Sequence, residues 1–194
     1  MELIQLNKDQ VASLYEERIV HDFKKDELKP LKMILKAMDE GIYESLGLSD
    51  GERLLGYTFL VKQGKRYLVD YLAVYPEERD KGRGSTILKL LSEYITDVEM
   101  MIIEVEDPFY AESSEEKEIQ ERRVSFYLRN GCADTGLRVR CFGVPFIIIS
   151  FAGNSSLDRN TVWEGYQSFY RAMLPKQMFE ANIELISGAD LGVL

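Results

Sequence analysis

Residues 67–94 constrain this chain more than any other stretch. The run Tyr67-Leu68-Val69-Asp70-Tyr71-Leu72-Ala73-Val74 is rich in aromatic and branched apolar residues and reads as a strand. Arg79-Asp80-Lys81-Gly82-Arg83-Gly84 follows it, and then Ser85 to Tyr94, where Ile87, Leu88, Leu91, Tyr94 and the next residue, Ile95, recur at helical spacing. Strand, glycine turn and helix in that order gather free backbone N–H groups and the positive end of a helix dipole at one point, which suits an anion. Gly82 and Gly84 carry no Cβ, so a phosphate can lie directly against the backbone. Two glycines in an ordinary strand–helix connection look the same, so the surroundings must decide.

Two widespread phosphate loops fit poorly. A Walker loop needs Lys between its last glycine and Ser or Thr, whereas Gly84 runs straight into Ser85-Thr86. The dinucleotide fingerprint needs a third glycine where Ile87 stands. The pattern Arg/Gln-x-x-Gly-x-Gly/Ala is met by Arg79, Gly82 and Gly84, after the strand end Leu72-Ala73-Val74-Tyr75-Pro76. This arrangement resembles the acetyl-CoA loop of the GNAT superfamily of N-acetyltransferases. The resemblance implies acetyl-CoA as co-substrate, held by Leu72, Ala73, Val74, Arg79, Asp80, Lys81, Gly82, Arg83, Gly84 and Ser85.

The bulk properties are compatible with that. At 194 residues and 45% hydrophobic, the chain suits one domain with a substantial core. A net charge of -9 argues against nucleic acid as a main partner, since phosphate backbones want a basic face. Acidity suits cationic ligands and also simple solubility. No apolar run approaches membrane-spanning length, and no basic-then-apolar signal pattern opens the sequence, so a cytoplasmic protein is expected. Cys132 and Cys141 read as reduced, buried thiols. With His21 the single histidine and no Cys/His cluster, no metal is expected, and His21 reads as a surface or packing residue.

In chain order, Glu2 to Leu6 is a short strand candidate. A helix through Val11, Leu14 and Tyr15 follows, capped by Asn7 or Asp9. A charged link, residues 21–29, leads to a second helix after Pro30 through Leu31, Ile34, Leu35 and Met38. Residues 42–48, 53–63 and 67–75 read as three strands of an antiparallel meander, separated by tight turns at Ser49-Asp50-Gly51 and Gln63-Gly64-Lys65. A meander entering the glycine loop is unlike a Rossmann start and matches the GNAT order. Met100 to Glu106 is a further strand, whose alternation puts Glu104 and Glu106 on one face, either solvated or lining a cleft.

Ser113 and Glu116 form a capping box for a helix that ends at Asn130-Gly131. Its end, Phe126-Tyr127-Leu128-Arg129-Asn130-Gly131-Cys132, resembles the second GNAT signature, Tyr-x-x-x-Gly-Phe, with Cys132 in the usual Phe place. Gln120 stands where many members carry an Asn that contacts the cofactor arm. Arg122 and Arg123 stand at small-residue positions; two arginines there could bind a phosphate or an acidic acceptor, but the expected partners are Glu115, Glu116, Glu118 or Glu121 on the helix surface. Residues 138–142 and 145–151 complete the sheet, and residues 153–160 read as a polar turn. Trp163, Tyr166, Phe169, Tyr170 and Met173 then recur at helical spacing, and residues 176–186 extend as another helix. Such an aromatic stripe packs on its own sheet or buries a partner chain, which leaves a homodimer open.

The resemblance covers residues 1–151, with a helical extension over 152–194 in the same single domain. The fold class expected is α+β, a twisted mixed, mostly antiparallel sheet flanked by helices on both faces. The resemblance implies acetyl transfer to a primary amine of a small molecule or peptide by direct attack. A backbone N–H in the Leu72–Val74 segment would polarise the carbonyl. Tyr127 would serve as the acid that protonates the departing thiolate, and Glu104 as the base, usually through water, with Glu106 as its substitute. The reading of a different class is a non-catalytic module that binds acyl-CoA and regulates a partner.

Overall fold

The structure, a computed structural model, describes residues 1–25, 27–151 and 157–186. The longest strand among the described residues is β3 (Leu54–Gln63), which pairs antiparallel with β2 (Tyr43–Ser49) on one side and with β4 (Arg66–Val74) on the other. β1 (Glu2–Gln5) pairs antiparallel with β2 and closes the meander. All lie in the first of two compact units, Met1–Val98; the second begins at Glu99.

β3 is buried on both faces, and each face has its own helices. Leu48, Leu55 and Ile87 form one core, with Leu72, Val74 and Leu90 packed on it, so α4 (Arg83–Tyr94) covers that side. Gly56 is required there, because a Cβ would fall 2.6 Å from the Ala73 carbonyl oxygen and 3.4 Å from Ile87. The other face carries Tyr43, Tyr57, Phe59 and Tyr71, whose rings contact one another edge-on or tilted. Over it lie α1 (Lys8–Leu14), α2 (Val20–Asp22) and α3 (Leu31–Asp39). Asn7 caps α1 in a reciprocal box with Gln10. Between α1 and α2 the helix widens into a π-turn, Tyr15–Ile19, which the 3.6-residue spacing does not reveal.

The β3–β4 register skips Asp70, a bulge that turns its carboxylate into the fold. There Asp70 accepts from the Tyr43 hydroxyl and from Lys29 Nζ, the latter at 2.6 Å. Tyr71 accepts from the Lys29 backbone N–H and donates to the Glu27 carbonyl, and Tyr15 donates to the Lys29 carbonyl. The charged link is therefore fastened to the sheet. His21 is exposed.

In the second unit β7 (Val144–Ser150) pairs antiparallel with both β5 (Met100–Glu106) and β6 (Ala133–Cys141). α5 (Ser114–Arg129) enters on Ser113, which accepts from the Glu116 N–H, and exits through left-handed Gly131. The Glu116 carboxylate reaches back to the Glu112 N–H rather than to the cap residue, so the box is half formed. α6 (Arg159–Met173) is capped by Asp158 and buries Val162, Tyr166, Phe169 and Tyr170. Each such ring stabilises the unit by roughly 1.5–3 kcal/mol through burial alone. The aromatic stripe is thus packing surface within this unit, and both cysteines are buried thiols outside any disulfide.

One expected helix is split. α7 (Lys176–Asn182) stops early, and β8 (Ile183–Leu185) adds antiparallel to β6, opposite Val139–Cys141. Alternating Ile183-Glu184-Leu185 satisfies a sheet edge better than it continues a helix. Residues 152–156, which overlap the expected polar turn, lie outside the described residues, as do Asp26 and residues 187–194. The fold class is the α+β expected, with eight strands, mostly antiparallel, among the described residues.

Candidate active site

In the first unit the predicted loop residues are contiguous around the start of α4. β4 ends at Val74, and Tyr75 donates its N–H to the Leu55 carbonyl. A single 3-10 turn, Pro76–Glu78, carries the chain to Arg79. Asp80 and Gly82 are both left-handed, with φ of 61° and 74°. Gly82 is the N-cap of α4, two residues earlier than the apolar spacing suggests, and it offers no side-chain acceptor. The first helical bond runs from Thr86 N to the Gly82 carbonyl, so the N–H groups of Arg83, Gly84 and Ser85 have no acceptor within the helix. Left-handed turns leading into an uncapped helix aim successive amides at one point, a nest for an anion. A Cβ at Gly82 would meet nothing within 4 Å, so the glycine is set by its φ alone.

The loop's cations are already engaged. Glu78, only 3% exposed, accepts from Arg53 Nη2 at 2.7 Å, Lys81 Nζ at 3.1 Å and Arg83 Nε at 3.1 Å. Lys81 and then Arg83 hold its carboxyl below the usual range. Arg79 turns back to the Val74 carbonyl and lies 3.5 Å from Asp22, which also accepts from the Tyr57 hydroxyl. Arg18, in the π-turn, stacks over Tyr75 and reaches Glu77. The loop is braced by side chains and presents its backbone.

In the second unit Glu104 is half-buried and takes hydrogen bonds from Tyr166 at 2.5 Å and from Tyr170 at 2.9 Å to each oxygen. Glu106 is buried and ion-paired with Arg123 of α5. Neither carboxylate is simply solvated, and their partners come from different helices. The expected surface pairing of Arg123 is corrected by this contact: a buried carboxylate demands a countercharge more strongly than exposed pairs worth a few tenths of a kcal/mol. Tyr127 is half-buried near the end of α5, its ring edge-on to Phe126. Burial pushes its phenol up to about 12, Cys132 adding and Arg123 opposing, and burial pushes the Cys132 thiol to about 11. Tyr127 is therefore protonated throughout the physiological range. Gln120 is buried, and its Oε1 lacks a partner among the described residues. A ligand donor would satisfy that orphan acceptor.

No protein-family model and no curated protein matches this sequence. Solved structures do. A chain assigned to the GNAT acetyltransferases from Bacteroides thetaiotaomicron aligns at 20% identity and TM-score 0.69, over 89% of this chain and 97% of that one. The ribosomal-protein-S18-alanine N-acetyltransferase from Escherichia coli aligns at 15% identity and TM-score 0.57, over 77% and 93%. An acetyltransferase from Bacillus subtilis, in complex with CoA, aligns at 14% identity and TM-score 0.54, over 78% and 97%. The chain has the fold of the GNAT acetyltransferases.

Sequence reasoning missed several residues that shape the site. Glu78 carries a local signal, an acid followed at three and five residues by Lys81 and Arg83. Tyr166 and Tyr170 are spaced one helical turn apart, but nothing local ties them to Glu104, 62 and 66 residues away. Asp22, seated against Arg79, had no signal at all.

Proposed function

We propose that this chain is an acetyl-CoA-dependent N-acetyltransferase acting on a primary amine of a small molecule or peptide. The observation that carries the reading is the uncapped, glycine-entered start of α4, whose first amides have no acceptor within the helix while Glu78 engages Lys81 and Arg83. The shared fold supports it, as does the bound CoA of the Bacillus subtilis protein. Acetyl-CoA supplies an activated thioester when bound. The amides of residues 82–85 hold phosphate, and Arg79, Asp80, Lys81 and Arg83 shape the turn that aims them. A backbone N–H of Leu72, Ala73 or Val74 polarises the thioester carbonyl. As the amine nitrogen bonds to the carbonyl carbon and the C–S bond breaks, Tyr127 gives its phenolic proton to the thiolate. Glu104 takes the proton leaving the nitrogen, through water.

The test is thiol release from acetyl-CoA with a panel of amines: an alanyl peptide, an aminoglycoside, spermidine and lysine. Release with at least one, matched by an acetylated product in the mass spectrum, is expected. CoA binding without release from any would replace the enzyme with a non-catalytic acyl-CoA-binding module.

A further inference from the structure

α6 lies outside the span whose motifs resemble the acetyltransferase core, yet it delivers two hydroxyls to Glu104. Tyr166 is fully buried and Tyr170 is 2% exposed. Their hydroxyls donate to the Glu104 carboxylate at 2.5 Å and 2.9 Å, Tyr170 bridging both oxygens. The rings are locked as well as the hydroxyls. Trp163 stacks on Tyr166 with centroids 5.8 Å apart and planes at 17°, and Tyr170 packs 5.1 Å from Tyr166 with planes tilted at 47°. Titratable groups around this carboxylate include Tyr166 and Tyr170 from α6 and the Cys141 thiol of β6 beside the Tyr166 hydroxyl. Glu106 stands two residues on in β5, paired with Arg123 of α5. Burial first, and then the charge of Glu104, push the Tyr166 phenol upward, so Tyr166 keeps its proton and acts as a donor. Phe at both positions would fill the same volume. What the hydroxyls add is directed at the carboxylate.

We propose that Tyr166 and Tyr170 are positioning residues that hold the Glu104 carboxylate charged and fixed in orientation, making α6 part of the catalytic apparatus. This rests on the reading of Glu104 as the base. Charge-assisted bonds from two phenols favour the ionised carboxylate and restrict its rotation, which a half-buried proton acceptor cannot obtain from water alone. The chemistry assigned to Glu104 is unchanged by them. Their effect is to lower the pH at which it becomes available and to set the direction from which it accepts.

The experiment has an arm without substrate and an arm with it. The full chain is labelled with 13C at glutamate carboxyls, the Glu104 signal is identified by its loss in Glu104→Gln, and it is titrated from about pH 3 to about pH 8. Tyr166→Phe and Tyr170→Phe, which keep the rings, are each expected to raise the Glu104 midpoint by about one pH unit. The acidic limb of kcat/KM, measured with acetyl-CoA and the fastest amine of the panel, should move upward by the same amount. Midpoints unmoved in both folded variants overturn the proposal. Midpoints that move while the limb stays, in a protein whose limb Glu104→Gln removes, also overturn it and leave the base assignment standing. A limb that survives Glu104→Gln overturns the base assignment, and the positioning role falls with it.

Discussion

Tyr127 and Glu104 are recognisable from the sequence by residue type and place, but their protonation behaviour is set by neighbours that the sequence does not reveal. For Tyr127 the sign follows from burial: the phenol is raised to about 12, so its proton is retained well above the ordinary value of about 10. If Tyr127 is the acid, kcat should stay level through pH 10, with any alkaline loss owed to this group displaced toward 12. Tyr127→Phe should lower kcat by roughly 10²–10⁴-fold with little change in acetyl-CoA affinity. Unaltered kcat in that variant would leave the tyrosine as packing beside Phe126. Glu104→Gln makes a different demand. An ammonium acceptor is mostly protonated at neutral pH, so a base matters more for a lysine-like amine than for a low-pKa α-amine. The defect of Glu104→Gln should therefore shrink as acceptor pKa falls across the panel, and an equal defect for every acceptor would exclude Glu104 as the base. Glu106 is the weaker substitute, because Arg123 already neutralises it.

Among elements, those with strong local signals were the legible ones. The β2–β4 meander has alternating apolar runs and tight turns, and α5 has a capping residue and a left-handed glycine exit, so both emerged close to their observed bounds. The π-turn, the split of α7 from β8 and the bulge at Asp70 depend on tertiary partners and were not legible. The bulge gives a direct test of how the charged link is held. Asp70 has a side chain 1% exposed and is paired with Lys29, so Lys29→Met removes the ammonium and leaves the buried carboxylate charged. Urea unfolding should report a loss of about 3 kcal/mol, with much of it recovered when Asp70→Asn is added. A loss within about 0.5 kcal/mol would show that the pair is dispensable and that the tyrosine hydrogen bonds alone fasten the link.

Considered as a whole, the molecule sets a puzzle that its fold answers. A chain of net charge -9 is proposed to bind a polyanion. General attraction cannot supply that affinity, and the loop's own lysine and arginine are shared with Glu78. What remains is the set of oriented amides at the start of α4, whose partial positive charge needs no basic side chain. The sequence supplied the glycines and the helix, and with them the ligand class proposed. It was silent about acceptor identity, which depends on surfaces built from long-range contacts. The most direct measurement is a calorimetric titration of CoA into the parent chain, Gly84→Asp and Lys81→Ala. Gly84→Asp places bulk and negative charge at the amides and should abolish measurable binding, while Lys81→Ala should weaken it only a few-fold. Equal losses in the two variants would contradict the amide account and shift the binding to side-chain charge.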